Sequence, residues 1–264
     1  MSDRLELRVL GAAALPTLIY LPGLHGDWTL MGSFRKAIEG RVRLVEFAYP
    51  RTTAWSLDDY AQQIVTALAA QGITRGWLLA ESFGSQVAWA ILQAAQNATS
   101  KVPQGFTAEG MILAGGFVRH PVIGGVKLAR GVCAWIPPWL LGIFLWAYPK
   151  YARFRHRQAP ETLRDIDEFV RRRRVPGDRE AMAHRLNLIG NAEFRELARA
   201  TRLPVFSLTG FWDPIVLWWP VQTWLRRECP GWCGDRMLYR ADHTVLATQP
   251  EESVKQVLEW MGQV

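Results

Sequence analysis

A serine, an aspartate and a histidine stand far apart in this 264-residue sequence, each in a setting that suits one share of nucleophilic catalysis. Ser82 lies within Leu78-Leu79-Ala80-Glu81-Ser82-Phe83-Gly84-Ser85-Gln86-Val87. A short apolar run leads into the serine, and a helical pattern through Val87 and Ile91 leaves it. A serine on a tight strand-to-helix turn presents its hydroxyl at the head of the helix, and small residues two places before and after let strand and helix close up. Ala80 and Gly84 occupy those places, where the usual form has glycine at both. A serine here could equally cap the following helix, and a hydroxyl is a weak nucleophile without a base. The reading therefore depends on what else the sequence supplies.

Of the five histidines, His25, His120, His156, His184 and His243, only His243 falls between a late strand and a final helix, in Ala241-Asp242-His243-Thr244. Asp213 sits on the loop after another late strand, in Gly210-Phe211-Trp212-Asp213-Pro214. The order serine, acid, histidine is the one this strand-turn-helix setting requires. Asp242 and Asp235 are less suited, because a carboxylate beside His243 in the chain seldom curls back onto that imidazole. Asp213 alone could be a turn former, and His243 alone a surface loop residue. Upstream, Tyr20-Leu21-Pro22-Gly23-Leu24-His25-Gly26-Asp27-Trp28 is a glycine-bearing turn after a strand. Its Leu24 N–H and the N–H of Phe83 are the expected oxyanion donors, each worth roughly 3 kcal/mol of barrier. His25 is expected to shape the turn.

These residues need a scaffold that brings them to one end of a sheet. Short apolar runs at Thr17–Leu21, Arg43–Phe47, Gly76–Ala80, Met111–Ala114, Pro204–Thr209 and Met237–Tyr239 read as strands. Near-continuous apolarity suits a parallel sheet covered on both faces. Between them, Tyr60, Ile64 and Leu68 mark one helix face within Leu57–Ala69, and Val254, Val257, Leu258 and Met261 mark another. Alternating β and α elements predict a doubly wound, mostly parallel α/β sheet. Residues 118–200 break the alternation with Trp, Pro and Arg, and predict a helical cap over the carboxyl ends of the strands. The expected division is a core of residues 1–117 and 201–264 with a cap of 118–200.

The arrangement resembles the α/β-hydrolase superfamily over nearly the whole chain. It is most similar to small bacterial hydrolases with a Pro-Gly-Leu-x-Gly loop, here Pro22 to Gly26, and a Glu-Ser-Phe-x-Gly elbow, seen here over Glu81 to Gly84. The resemblance implies esterase, lipase or thioesterase chemistry without a cofactor or metal. It also implies Ser82, Asp213 and His243 as triad, with Leu24 and Phe83 as oxyanion donors. Ser85 departs from the second glycine that many relatives carry.

Composition narrows the class further. Hydrophobic residues make up 49% and charged residues 21%, as in a globular protein with a sizeable core. The net charge of +7 is concentrated between Lys150 and Arg185, where Glu161, Asp165, Asp167 and Glu168 precede Arg171, Arg172, Arg173 and Arg174. Acids early and arginines late, with i,i+4 pairs Arg164/Glu168 and Asp167/Arg171, predict a solvated helix. No nucleic-acid motif accompanies it. Cys133, Cys229 and Cys233 give no disulfide framework and suggest a reducing, cytoplasmic setting. The uncharged stretch 131–149 approaches the length of a membrane span, but Pro137 and Pro138 interrupt it, and an apolar lid touching lipid at most is the expectation. Trp135, Ile136, Trp139, Leu140 and Phe144 with Trp212 are expected to line an apolar pocket, although each could simply pack the cap onto the core. The predicted substrate is a small carboxylic ester. The rivals are thioesterase, acyltransferase or other triad chemistry, and a non-catalytic binding protein on the same fold.

Overall fold

The computed structural model describes residues 4–96, 105–135, 168–173 and 175–263. Among these residues seven strands, β1 (Glu6–Leu10), β2 (Thr17–Leu21), β3 (Arg43–Ala48), β4 (Arg75–Glu81), β5 (Thr107–Ala114), β6 (Val205–Gly210) and β7 (Trp232–Leu238), form one sheet in the order β1-β3-β2-β4-β5-β6-β7. All neighbours are parallel except β1, which runs antiparallel along β3.

The strand sequences explain why both faces are covered. Side chains alternate sides along a strand. Ile19, Leu21, Leu78, Ala80, Met111 and Leu113 enter one core, while Leu18, Tyr20, Leu79, Ile112 and Ala114 enter the other. On the first face lie α2 (Leu57–Ala70) and α3 (Gly84–Gln96), which contribute Ile64, Val65, Leu68, Val87, Ala88 and Ile91. On the second lie α1 (Gly32–Ile38) and the last helix, α9 (Pro250–Trp260), with Phe34, Ile38, Val254, Val257 and Leu258. Helix α2 starts where Ser56 and Asp59 form a reciprocal capping box, which satisfies two otherwise orphaned N–H groups. Glu46 is the one carboxylate on β3 facing the second core. Its burial is tolerated because Arg8 and Arg35 both reach it, Arg35 at 2.9 Å.

Between β5 and β6 the chain leaves the sheet. Among the described residues of this interval lie helix α4 (Ile123–Trp135), a helical stretch at 168–173, helix α5 (Asp178–Asn191) and helix α6 (Arg195–Ala200). Helices α4 and α5 pack on each other, and Val126, Leu186 and Ile189 join the first core. After β6 come α7 (Trp218–Glu228), then β7, the short α8 (Val245–Thr248) and α9.

Several elements differ from the sequence reading. Strand β1 went unpredicted: Glu6-Leu7-Arg8-Val9-Leu10 is only partly buried, and charges along an edge strand mask its pattern. Strand β7 begins at Trp232 rather than near Met237; its first half lacks an apolar run, since Cys233, Asp235 and Arg236 are exposed. The arginine-rich stretch is not simply solvated. Arg173 is buried, while Arg172 pairs with Glu168 at 3.3 Å. The expected pairs at Arg164 and Asp167 lie outside the described residues, as do Ile136, Trp139, Leu140 and Phe144. Among the described residues no helix is long and apolar enough to cross a membrane. Most of the stretch 131–149 lies outside them.

Candidate active site

Strand β4 delivers Ser82 to the carboxyl end of the sheet, and the turn into α3 forces its backbone to φ 49°. Among the described non-glycine residues Ser82 alone has positive φ, a conformation that costs an L-residue of order 1 kcal/mol and persists where the surroundings enforce it. They do so here. The Ser82 N–H donates to Ala114 O at 3.1 Å. Ser85 Oγ donates to Ser82 O at 2.6 Å and accepts from Phe117 N at 3.1 Å. Gln86 Nε2 donates to Phe117 O at 2.9 Å. Ser85, the departure from a second glycine, thus ties the elbow to the loop after β5. At position 84 a Cβ would come within 2.1 Å of Leu21 O, so only glycine lets α3 press against the end of β2.

His243 and Asp213 come from the loops after β7 and β6. His243 Nε2 lies 2.9 Å from Ser82 Oγ, and His243 Nδ1 lies 2.7 Å from Asp213 Oδ2. The other carboxylate oxygen, Asp213 Oδ1, accepts from the N–H groups of Ile215 at 2.8 Å and Val216 at 2.9 Å. Both carboxylate oxygens are therefore engaged, which orients a side chain that is almost wholly buried. With the Nδ1 proton donated to Asp213, Nε2 is left to accept from the Ser82 hydroxyl. Burial alone would lower the imidazole pKa. The hydrogen bond and charge of Asp213, helped by Glu81 and Asp242, outweigh it and hold the group above its ordinary value. The competing aspartates are occupied elsewhere. Asp242 Oδ1 accepts from Thr244 N and Oγ1, and Asp235 pairs with Arg226 at 3.2 Å.

Leu24 lies on the loop after β2, and Gly23 approaches so closely that a Cβ there would be 3.4 Å from Ser82 Cβ. Phe83 immediately precedes α3, at a helix start where N–H groups lack intrahelical acceptors. His25 is not near His243's role. Its Nε2 lies 3.9 Å from Glu81 Oε2 and its ring meets Phe169 edge-on.

Beside Ser82 opens a cavity of about 370 Å³ lined by Leu24, His25, Glu81, Ser82, His243 and an apolar wall. That wall comprises Phe117, Val126 and Ala129 together with Leu186, Ile189, Ile215 and Leu217. Sequence reasoning expected Trp135, Trp139 and Trp212 in this place. Trp212 is 69% exposed, packs edge-on against Phe211 and is not part of the wall. Trp135 ends α4 but its side chain is outside the described set, as is Trp139 entirely. The walls from α4 and α5 went unnamed because the helical register of an insertion cannot be fixed before its partner helix is known. Glu81 was also missed as a cavity group. It accepts a hydrogen bond from the buried Tyr20 hydroxyl, and the signal was its place beside Ser82 in the sequence. His120, also on the wall, accepts from Val122 N at 3.1 Å through Nδ1, and burial lowers its pKa.

No family model matches the chain, and no curated protein matches it in sequence. Solved structures do match in shape. A hydrolase from Pseudomonas aeruginosa superposes with a TM-score of 0.75 at 14% identity, over 98% of this chain and 94% of that one. A thermophilic esterase from Thermogutta terrifontis gives 0.72 at 18%, over 98% and 93%. An alpha/beta hydrolase enzyme from a deep-sea metagenome library of the Medee basin gives 0.71 at 12%, over 98% and 94%. The likeness covers 98% of this chain, and its fold, a mostly parallel sheet with helices on both faces, is the α/β-hydrolase fold.

Proposed function

We propose that the chain is a serine hydrolase that cleaves carboxylic esters with an apolar acyl or alcohol part. The observation that carries this reading is the hydrogen-bonded series Asp213–His243–Ser82 ending at a mostly apolar cavity. The likeness in fold to a hydrolase and an esterase agrees with it. Helices between residues 118 and 200 would act as the cap, with 1–117 and 201–264 as the core.

Catalysis would run as acyl transfer to water. Neutral His243 takes the Ser82 proton as Oγ attacks the ester carbonyl. Asp213 holds the imidazole with Nδ1 protonated and favours the imidazolium that forms. The N–H groups of Leu24 and Phe83 receive the carbonyl oxygen as it gains charge, the second from the head of α3, where the helix dipole adds to its pull. The C–O bond breaks, His243 returns the proton to the alcohol, and water releases the acid by the same steps. The apolar wall of Val126, Leu186, Ile189 and Ile215 favours an aliphatic or aromatic group over a charged one.

The test is a series of p-nitrophenyl esters of rising chain length set against acyl-CoA thioesters, with His243→Ala as the blank. Ester turnover lost in that variant supports the reading. Preference for the thioesters redirects it to a thioesterase, and turnover equal in wild type and variant sinks it.

A further inference from the structure

The loop carrying the Leu24 N–H is held from behind by residues of the inserted region. Four consecutive carbonyls of this turn are engaged. Gly23 O accepts from Gly26 N at 3.0 Å and Gly26 O from Tyr49 N at 2.7 Å. Leu24 O accepts from Arg185 Nη1 at 2.9 Å, and His25 O from Arg173 Nη1 at 2.6 Å. In a planar trans peptide the N–H points opposite to the C=O. Fixing Gly23 O therefore fixes the direction of the Leu24 N–H, and fixing the next two carbonyls stops the following peptide planes from rotating and carrying the turn with them.

The two arginines are built into the interior. Arg185 on α5 is 1% exposed, and its guanidinium also donates to Pro50 O at 3.1 Å and lies 3.4 Å from the Tyr60 hydroxyl. Arg173 donates to Asp27 Oδ2 at 2.6 Å and lies 3.3 Å from Asp178 Oδ1, which also takes Arg51 at 3.1 Å. Burying a guanidinium is costly unless hydrogen bonds compensate, and here the loop carbonyls supply part of that compensation, Leu24 O to Arg185 and His25 O to Arg173, while Arg173 Nε finds no partner among the described residues. Gly26, at φ +79°, completes the fit: a Cβ there would be 2.4 Å from Arg185 Nη1. Three arginines against two aspartates also leave the cluster behind the loop net positive, the sign that favours an oxyanion in front of it.

We infer that Arg185 and Arg173 are positioning residues for the oxyanion hole, holding the Leu24 N–H on the developing charge by pinning the carbonyls of Leu24 and His25. The inference rests on the reading of Ser82 as nucleophile and extends it to the inserted helices, which become part of the catalytic geometry.

The experiment compares Arg185→Lys, Arg173→Lys and Tyr60→Phe with wild type. Each is titrated to completion with a fluorophosphonate, so that kcat is expressed per reactive Ser82. Lysine keeps the charge but cannot reach both Leu24 O and Pro50 O. Arg185→Lys and Arg173→Lys are expected to lose about 10- to 100-fold in kcat with KM changed by less than about twofold. Affinity for an aryl trifluoromethyl ketone, which forms an oxyanion on Ser82, should fall by the same factor, while a non-reacting ether analogue binds as before. Tyr60→Phe removes a neighbour of the same guanidinium without touching the loop, and should lower Tm while keeping kcat. Arginine variants that lose Tm yet keep kcat and ketone affinity overturn the inference and leave the arginines purely structural. Arg173→Lys carries the test where Arg185→Lys yields no folded protein. A wild-type chain that neither labels nor turns over esters defeats the reading of Ser82 instead, so the two failures are distinct.

Discussion

Replacing Asp213 by asparagine changes one oxygen for an amide nitrogen at nearly constant volume, and the local hydrogen bonds dictate how the amide must sit. Oδ1 of Asp213 accepts from two N–H groups, Ile215 at 2.8 Å and Val216 at 2.9 Å. An asparagine keeps those bonds only by leaving its oxygen there and turning its NH₂ toward His243. Nδ1 of His243, 2.7 Å away, then has to accept rather than donate. The imidazole proton moves to Nε2 and faces the Ser82 hydroxyl, which loses its base. The same inversion of tautomer in the chymotrypsin template costs about 10⁴ in kcat, or about 5 kcal/mol at 1.36 kcal/mol per decade. Asp213→Asn is therefore expected to lose on the order of 10⁴ in kcat on p-nitrophenyl butyrate with KM nearly unchanged. The variant should still fold, because both backbone bonds survive. Asp213 raises the imidazole pKa in the folded state, so its pairing stabilises the fold fully below about pH 6.5 and less as pH rises through the raised value. The Tm gap between wild type and variant should thus be widest on the acid side and close toward alkaline pH. A variant within about tenfold of wild type in kcat refutes the reasoning.

The pH–rate profile should show an acid limb with its midpoint above about 6.5, because an imidazolium cannot take the Ser82 proton and Asp213 keeps His243 protonated to higher pH. A limb centred below that value contradicts the pairing. Ser82→Gly should raise stability by about 1 kcal/mol in thermal or urea unfolding, since it relieves the strained φ, while it abolishes turnover. Loss of stability there would mean the elbow is not strained. Ile189→Trp projects bulk into the cavity wall and should lower kcat/KM for long acyl esters far more than for acetate, measured across a chain-length series. An equal effect at all lengths would place the acyl chain elsewhere.

The convergence of Ser82, Asp213 and His243 was legible in the sequence because each sits just beyond a strand, and the ends of parallel strands meet. The small residues Ala80 and Gly84 added a local sign of the elbow. The supports of the loop after β2 were not legible. Arg185 reaches Leu24 across 161 positions and Arg173 reaches His25 across 148, and an arginine at helical spacing looks the same whether it faces water or Asp27. The edge strand β1 was hidden by Glu6 and Arg8, and the cavity wall by the unknown register of α4 against α5. Trp212 shows the opposite failure. A tryptophan beside the acid suggested a pocket, yet its loop turns it to solvent.

Covalent capture of Ser82 addresses the central claim most directly. Wild-type protein incubated with a fluorophosphonate and analysed by intact mass and peptide mapping should carry a single adduct on Ser82. Ser82→Ala should carry none, and His243→Ala should label far more slowly. A folded wild-type chain that stays unmodified, or an adduct on another side chain, contradicts the account.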